Sequence, residues 1–257
     1  MDNLVLDGGF ADLVKDSQSV FRTVMDALSR PGLKQPIHVD AEPPAPLTPE
    51  VAAIALTLAD HDSPVWLDET LAGSDAVVAW LKFHTGAPIV SDPRQADFAL
   101  VTGWAALPRL DAFAIGTDEY PDRSTTVVLA VEGGNGTSHP HGASPGEDPG
   151  PTDASTRVEG GNRPRLEAGE DRGGVSSGVK AAAFEHRGGE GASVTRSLTI
   201  TGPGIKHSET LIIPGITEDF ITHWALNRDL FPRGVDVLFA GAGQVVGLPR
   251  TTRILEA

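Results

Sequence analysis

The sequence predicts a single α/β domain with a mixed sheet and flanking helices. Two observations lead to this fold class: helical patterns alternate with short apolar strands early in the chain, and hairpin patterns gather late in it. No pattern repeats at a fixed period, which argues against a repeat protein. A chain of 257 residues can bury a large core, so we expect one domain with an appendage.

The first predicted helix is amphipathic and ends at a clear stop. Asp16 or Ser17 is available as its N-cap, and Pro31-Gly32 terminates it. Its spacing places five apolar residues on one face: Val20, Phe21, Val24, Met25 and Leu28.

Three further helices are predicted from their N-terminal signals. The second begins at Thr48 with Pro49 at the first helical position and ends before residue 60. The third runs from Ser74 as N-cap through Phe83, and the fourth opens at Thr217. The second helix carries Val51, Ile54, Ala55 and Leu58 inward, and the fourth carries Phe220, Ile221, Trp224 and Leu230.

Short apolar runs predict strands at residues 65–67, 88–90, 98–101, 125–131, 194–201 and 235–240. We interpret 125–131 and 194–201 as the two arms of one hairpin with an expanded turn. The entropic cost of closing a loop grows slowly with loop length, so an expanded turn should destabilise the fold only slightly.

The segment 133–193 differs in composition from the rest of the chain. Gly, Pro, Ser and acidic residues dominate it, and large apolar residues are few. Such a segment buries too little surface to offset its ordering entropy. We therefore predict a core domain of residues 1–132 and 194–257, interrupted by a disordered low-complexity insert at 133–193.

The composition excludes several classes of partner and site. A formal net charge of −15 would repel a nucleic-acid backbone. No apolar stretch is long enough to span a bilayer, and the first residues lack the basic region of a secretory signal, so we expect a cytoplasmic protein. The absence of cysteine removes disulfides, zinc–thiolate sites and cysteine-ligated iron–sulfur clusters.

Two glycine-rich phrases are predicted to be turns. Residues 241–247 (GAGQVVG) resemble a dinucleotide-binding fingerprint, but the chain ends too soon for the helix and second strand of such a site. A hairpin turn between 235–240 and 245–248 is favoured. The phrase at residues 201–204 (TGPG) is also interpreted first as a turn, with an anion cradle as the minor alternative.

The sequence offers no organised catalytic set. It contains neither a nucleophile elbow nor a phosphate-binding loop, and no lysine has a recognisable Schiff-base context. His139 and His141 fall in the low-complexity segment, and Asp60-His61-Asp62 is interpreted as a helix cap and turn in preference to a general base. We predict no catalytic residue, no metal site and no cofactor.

Seven polar residues at the ends of predicted elements form a candidate ligand site. Guanidinium groups and threonine hydroxyls suit a phosphate or phosphonate oxyanion, because Arg donates in a two-pronged fork. The alternative is that the arginines pair with the plentiful carboxylates, as structural bridges or at a subunit contact. The seven residues are Arg22, Arg30, His84, Thr85, Arg250, Thr251 and Thr252.

Eight short phrases, taken together, resemble the PhnH family of the bacterial carbon–phosphorus lyase complex. They occur in the family's order: QSVFR (18–22), ALSRPG (27–32), LAD (58–60), SPVWL (63–67), FHTGAP (83–88), GPGI (202–205), FPRGVD (231–236) and LPRTT (248–252). The insert has no recognised counterpart in the family. The phrase PDRST at 121–125 also departs from the family's pattern, which typically has Pro-Glu followed by a Gly-Ala-Thr phrase.

The resemblance implies a fold similar to the large domain of pyridoxal-phosphate-dependent transferases, without pyridoxal phosphate or its lysine. It implies a subunit of a core complex with PhnG, PhnI and PhnJ, and a homodimer when the chain is alone. That complex displaces adenine from ATP by an alkylphosphonate, which gives α-D-ribose 1-alkylphosphonate 5-triphosphate, and later cleaves the carbon–phosphorus bond.

Three functions follow as hypotheses. The first is a non-catalytic subunit of that complex, of the transferase class by association. The second is an independent protein that binds phosphonate or a nucleotide at the candidate ligand site. The third is a small-molecule hydrolase with Asp60 or His84 as its base.

Overall fold

The computed structural model describes residues 7–132 and 195–255, which belong to one compact unit. The predicted insert at 133–193, with His139 and His141, lies outside the described residues. The described residues form five α-helices: α1 (Leu13–Ser29), α2 (Pro49–Leu58), α3 (Glu69–Ala72), α4 (Asp75–Thr85) and α5 (Glu218–Asp229).

Ten strands in the described residues form two sheets. They are β1 (Gln35–Pro36), β2 (Val65–Leu67), β3 (Ile89–Val90), β4 (Phe98–Val101), β5 (Thr126–Ala130), β6 (Thr195–Thr201), β7 (Glu209–Pro214), β8 (Asp236–Gly241), β9 (Gln244–Leu248) and β10 (Arg253–Leu255). Short 3₁₀ helices occur at Pro93–Gln95, Trp104–Ala106 and Leu110–Ala112.

The larger sheet has seven strands in the order β1-β9-β8-β5-β4-β2-β3. The strands from β8 to β3 are parallel, while β9 and β1 run antiparallel to their neighbours. The smaller sheet is antiparallel in the order β10-β6-β7. The predicted α/β class with a mixed sheet is therefore confirmed.

Two apolar cores form within the described residues. The first contains the inward residues of α1, α2 and α4, and the second joins α5, β6 and β7 to other residues of the large sheet. Successive residues of a strand point to opposite faces, which explains the division: Leu100 of β4 lies in the first core and Val101 in the second. No described helix is long and apolar enough to cross a membrane.

The start and the inward face of α1 differ from the prediction. Asp12 is the N-cap and accepts a hydrogen bond from the backbone N–H of Lys15 at 3.1 Å, while the backbone N–H of Asp12 donates to the carboxylate of Asp16 at 2.8 Å. The predicted N-caps Asp16 and Ser17 therefore lie inside the helix.

The apolar face predicted for α1 is only half correct. The buried residues are Val20, Val24 and Ala27, whereas Phe21 and Met25 are 48% and 43% exposed. Successive helical residues are turned by about 100°, so one residue beyond Val20 or Val24 already points away from the core.

The expanded hairpin is wrong. β5 lies inside the large sheet between β4 and β8, and β6 pairs with β7 and β10 in the small sheet. β5 is apolar along almost its whole length, as is typical of a central parallel strand buried on both faces. Because β4 and β8 occupy both of its hydrogen-bonding edges, no edge is left for a hairpin partner. The prediction also missed β1, β7 and β10.

Both glycine-rich turns are confirmed as turns. β8 and β9 form a hairpin in which Gly241 faces Gln244, and the two turn residues Ala242 and Gly243 have φ of 53° and 68°. Positive φ at both positions is typical of the tightest hairpin turns. In the second turn, the backbone N–H of Ile205 donates to the carbonyl of Gly202 at 3.1 Å.

Candidate functional site

Arg250 contacts protein groups with all of its guanidinium nitrogens. Its Nε lies 3.2 Å from each carboxylate oxygen of Asp236, and its Nη2 lies 2.5 Å from Asp236 Oδ2. The remaining nitrogen, Nη1, donates to the carbonyl of Pro121 at 2.5 Å. The two charged side chains are only 14% and 20% exposed. This geometry favours the structural alternative for Arg250.

The two threonines that follow Arg250 are at least half-buried, and Thr252 is held by a backbone hydrogen bond. The carbonyl of Thr252 accepts a hydrogen bond from Trp224 Nε1 at 3.0 Å, and the side chain of Thr252 is fully buried. Its hydroxyl has no hydrogen-bond partner among the described residues. Thr251 is half-buried. The Thr252 hydroxyl is therefore shielded from any ligand in solution.

Arg22 and Arg30 lie on the exposed side of α1. Neither side chain makes an ion pair within the described part of the chain. Arg30 is the C-cap residue, and its backbone N–H donates to the backbone carbonyl of Asp26 at 3.0 Å. The two arginines are eight residues apart, about 12 Å along the helix axis, so they lie in different turns of the helix.

His84 and Thr85 form the last turn of α4, where the prediction had placed them after that helix. The imidazole of His84 packs on Trp80 and Phe83, with ring centroids 4.6 and 5.0 Å away. The hydroxyl of Thr85 donates to the Leu81 carbonyl at 2.7 Å and accepts from the N–H of Ala87 at 3.0 Å. Both side chains therefore make contacts at the C-terminal end of α4.

The structure does not bring the seven predicted residues into one site. His84 and Thr85 precede β3, at one edge of the large sheet, whereas Arg250 binds Asp236 at the start of β8. β3 and β8 are four strand spacings apart, about 19 Å. A single ligand site made of all seven residues is not compatible with this spacing.

Three of the family-like phrases do meet, at a contact that we call the glycine junction (residues 29–32, 202–204 and 251–252). A Cβ atom placed on Gly204 would lie 2.2 Å from the Ser29 carbonyl oxygen, and one on Gly202 would lie 3.1 Å from that of Thr251. The N–H of Gly32 donates to the carbonyl of Gly247 at 3.2 Å. These close approaches explain why positions 202 and 204 carry glycine.

Sequence reasoning missed two buried polar residues that hold the fold around these phrases. The amide of Asn227 donates to the Val235 carbonyl at 3.0 Å and accepts from the Val235 N–H at 2.8 Å. The carboxylate of Asp68 accepts from the N–H and the hydroxyl of Thr102, each at 2.6 Å. The available signals were a polar residue on the apolar face of α5 and two polar residues that directly follow neighbouring strands.

Asp60 and its neighbours form a turn. The Asp60 carboxylate accepts from the Ser63 hydroxyl at 2.8 Å and from the Asp62 N–H at 3.0 Å. These hydrogen bonds hold the pKa of Asp60 below its usual value. A lowered pKa makes Asp60 a weaker base. Within residues 7–132 and 195–255, no group of three His, Asp or Glu side chains is placed to hold a metal ion.

A comparison with protein-family models matches the sequence to one family. The model for the bacterial phosphonate metabolism protein (PhnH) matches residues 8–150 and 185–255. The chain belongs to the PhnH family. The matched parts leave out residues 151–184, which lie inside the predicted insert.

Two curated proteins give the membership more detail. The chain is 36% identical over 250 residues to the alpha-D-ribose 1-methylphosphonate 5-triphosphate synthase subunit PhnH of Rhizobium meliloti, over 97% of this chain and 96% of that relative. It is 39% identical over 57 residues to a putative C-P lyase subunit protein, HtxG, of Stutzerimonas stutzeri, which covers 22% of this chain and 29% of that protein. The first similarity extends over nearly the whole of both PhnH-family chains.

Proposed function

We propose that this chain is the PhnH subunit of a carbon–phosphorus lyase core complex in the cytoplasm. In this role it supports the formation of α-D-ribose 1-alkylphosphonate 5-triphosphate from ATP and a phosphonate. The observation that carries the proposal is the 36% identity to a synthase subunit PhnH over 97% of this chain. The proposed partners are PhnG, PhnI and PhnJ, with a homodimer when the chain is alone.

A non-catalytic role within the complex fits the geometry of the candidate residues. Arg250, Thr85 and the Thr252 backbone are engaged by protein groups, and the seven candidates do not form one site. The proposed likeness to the large domain of pyridoxal-phosphate-dependent transferases, without the cofactor, is supported by the parallel strands at the centre of the sheet.

The exposed side of α1 offers a surface for a partner. Val14, Phe21 and Met25 are spaced at seven and four residues, so they follow one another along a single side of the helix, and they are 66%, 48% and 43% exposed. We call these three residues the α1 stripe. Exposed apolar residues aligned along one side of a helix give a partner an apolar surface to cover. Because the relative is named as a subunit, we propose that another subunit of the same complex covers the α1 stripe.

The alternatives make different demands on the molecule. An independent phosphonate- or nucleotide-binding protein needs exposed cations, which Arg22 and Arg30 supply separately. A hydrolase needs a base, and the lowered pKa of Asp60 weakens that residue in the role. The subunit role needs neither, and it agrees with the family.

Deletion of the gene in its own host tests the proposed function. The deletion strain is grown with methylphosphonate or with inorganic phosphate as the sole phosphorus source. We expect no growth on methylphosphonate and normal growth on phosphate, and the intact gene should restore growth on methylphosphonate. Growth of the deletion strain on methylphosphonate at the normal rate would refute the proposal.

A further inference from the structure

The large sheet opens a crevice between the carboxyl ends of β2 and β4. These strands are adjacent and parallel. After β2 the chain turns toward the first core, where Leu71 of α3 is buried, and after β4 it turns to the opposite face, where Trp104 and Leu110 pack in the second core. Loops that leave neighbouring strands in opposite directions create the point at which open α/β sheets bind their ligands.

A buried carboxylate fixes the geometry of this crevice. Asp68 is 1% exposed and directly follows β2. Its Oδ1 accepts from the N–H of Leu71 at 2.9 Å, and its Oδ2 accepts from both the N–H and the hydroxyl of Thr102 at 2.6 Å. Asp68 therefore joins the two departing loops. Since its oxygens are already satisfied, it positions the crevice walls and is not itself available to a ligand.

The crevice has the volume of a small-molecule site. It is a cleft open to solvent with a volume of about 580 Å³, which lies within the range of ligand pockets. Gly103 opens directly onto this space, because a Cβ atom on it would meet no atom within 4 Å. We call the site the switch crevice, and its lining residues are Glu69, Thr70, Thr102, Gly103, Trp104, Ala105 and Ala106.

The chemistry of the lining disfavours an anionic ligand and suits one with hydroxyl groups. The lining supplies one exposed carboxylate, Glu69, the hydroxyls of Thr70 and Thr102, and no cation. A carboxylate accepts hydrogen bonds from a vicinal diol, as it does with the ribose of dinucleotides in other α/β sheets. Trp104 is half-buried, and its indole is held in position by a hydrogen bond from Nε1 to the Pro214 carbonyl at 2.8 Å and by ring contacts with Phe220 and Phe239, whose centroids lie 5.2 and 5.7 Å away.

We propose that the switch crevice binds a nucleoside, with Glu69 accepting hydrogen bonds from the ribose hydroxyls and Trp104 lying against the base. Any phosphate groups point away from the crevice, since its lining offers them no cation. This inference goes beyond the proposed subunit role and does not depend on it, because the isolated chain carries every lining residue.

Binding of adenosine to the full-length chain tests the proposal. Isothermal titration calorimetry is done on the wild type, Glu69→Gln, Gly103→Leu and Gly103→Ala, with thermal unfolding of each variant as a check on folding. We expect saturable binding with Kd below about 1 mM for the wild type. Glu69→Gln should weaken binding about tenfold, because a hydrogen bond to a charged group becomes a neutral one. Gly103→Leu should abolish binding by filling the space, and Gly103→Ala should retain most of it.

Three further probes separate the parts of the ligand. 2′-Deoxyadenosine should bind about tenfold more weakly than adenosine, methyl β-D-ribofuranoside should compete weakly, and inorganic triphosphate should not compete. The proposal is overturned if adenosine does not bind the wild type, if Gly103→Leu binds it as well as the wild type does, or if triphosphate displaces it.

Discussion

The guanidinium of Arg250 holds the carboxylate of Asp236 at the amino end of β8. Arg250 follows β9 and Asp236 opens β8, two strands that pair antiparallel, so the ion pair ties the end of one strand to the beginning of the other. The backbone N–H of Arg250 also donates to Asp236 Oδ1, at 2.7 Å. Arg250 therefore stabilises the C-terminal hairpin.

Replacement of Arg250 by Ala should destabilise the fold. The Asp236 carboxylate would remain mostly buried after losing its charged partner, so the free energy of unfolding should fall by about 2–3 kcal/mol. Urea denaturation followed by circular dichroism measures this change. The control is Arg253→Ala, at an exposed arginine of β10, which should change the same quantity by less than about 0.5 kcal/mol.

Titration of the same variant with ATP and methylphosphonate separates the two roles left open for Arg250. Unchanged stability together with the loss of saturable binding would show that Arg250 belongs to a ligand site. A fall in the free energy of unfolding would show instead that Arg250 has a structural role.

Gly204 is the tightest point of the glycine junction. Its φ is +82°, and a Cβ atom on it would lie 2.2 Å from the Ser29 carbonyl oxygen. Gly204→Ala should therefore lower the free energy of unfolding by about 2–4 kcal/mol, because backbone must move to accommodate the methyl group. Gly103→Ala is the matched control and should have almost no effect, since Gly103 is extended and open. Equal melting temperatures for the two variants would contradict the close approach.

Asp97 should make stability depend on pH in the direction opposite to most carboxylates. Partial burial raises the pKa of Asp97, and the negative charge of Asp60 raises it further. The folded state therefore holds this proton more tightly, and ionisation of Asp97 opposes folding above its folded pKa. The opposition disappears below the unfolded value of 3.8.

The variant Asp97→Asn tests this sign. It should stabilise the protein by a few tenths of a kcal/mol near about pH 7, a small value because water screens a largely exposed side chain, and by nothing near about pH 3. Urea curves at the two pH values, with Asp40→Asn as an exposed control, measure the difference. An equal gain at both pH values would show that charge is not the cause.

The α1 stripe should matter for assembly and not for folding. Phe21→Glu combined with Met25→Glu places two charges in the proposed interface, so co-purification with the partner subunits should fall at least about tenfold. The melting temperature should stay close to that of the wild type because both side chains are exposed. The matched control is Leu226→Glu, at a 52% exposed leucine of α5. If Leu226→Glu disrupts assembly and the stripe variant does not, the interface lies on α5.

Local features of the fold were predictable from the sequence. Strong local signals placed β2 and β4 at their observed residues, and Thr48 followed by Pro49 marked the start of α2. Buried parallel strands form short apolar runs in the sequence. Proline is favoured at the first position of a helix, because no hydrogen bond is lost there and its φ is already helical.

Long-range pairing and the site could not be predicted in this way. Nothing in the residues of β6 indicates that its partners are β7 and β10, because an alternating strand fits any sheet that covers its apolar face. The polar residues also have partners far along the chain: Arg250 pairs with Asp236, and Thr102 with Asp68. The residue type of Arg250 suggested that it binds an anionic ligand, whereas in the fold it pairs with the carboxylate of Asp236.

Co-purification tests the central claim most directly. This chain is tagged and co-expressed with its host's PhnG, PhnI and PhnJ, and the mass of the purified material is measured by native mass spectrometry. The account predicts one stable assembly of higher mass that contains all four chains, and its loss in the Phe21→Glu and Met25→Glu variant. Recovery of this chain alone, as a monomer or a dimer, would contradict the account.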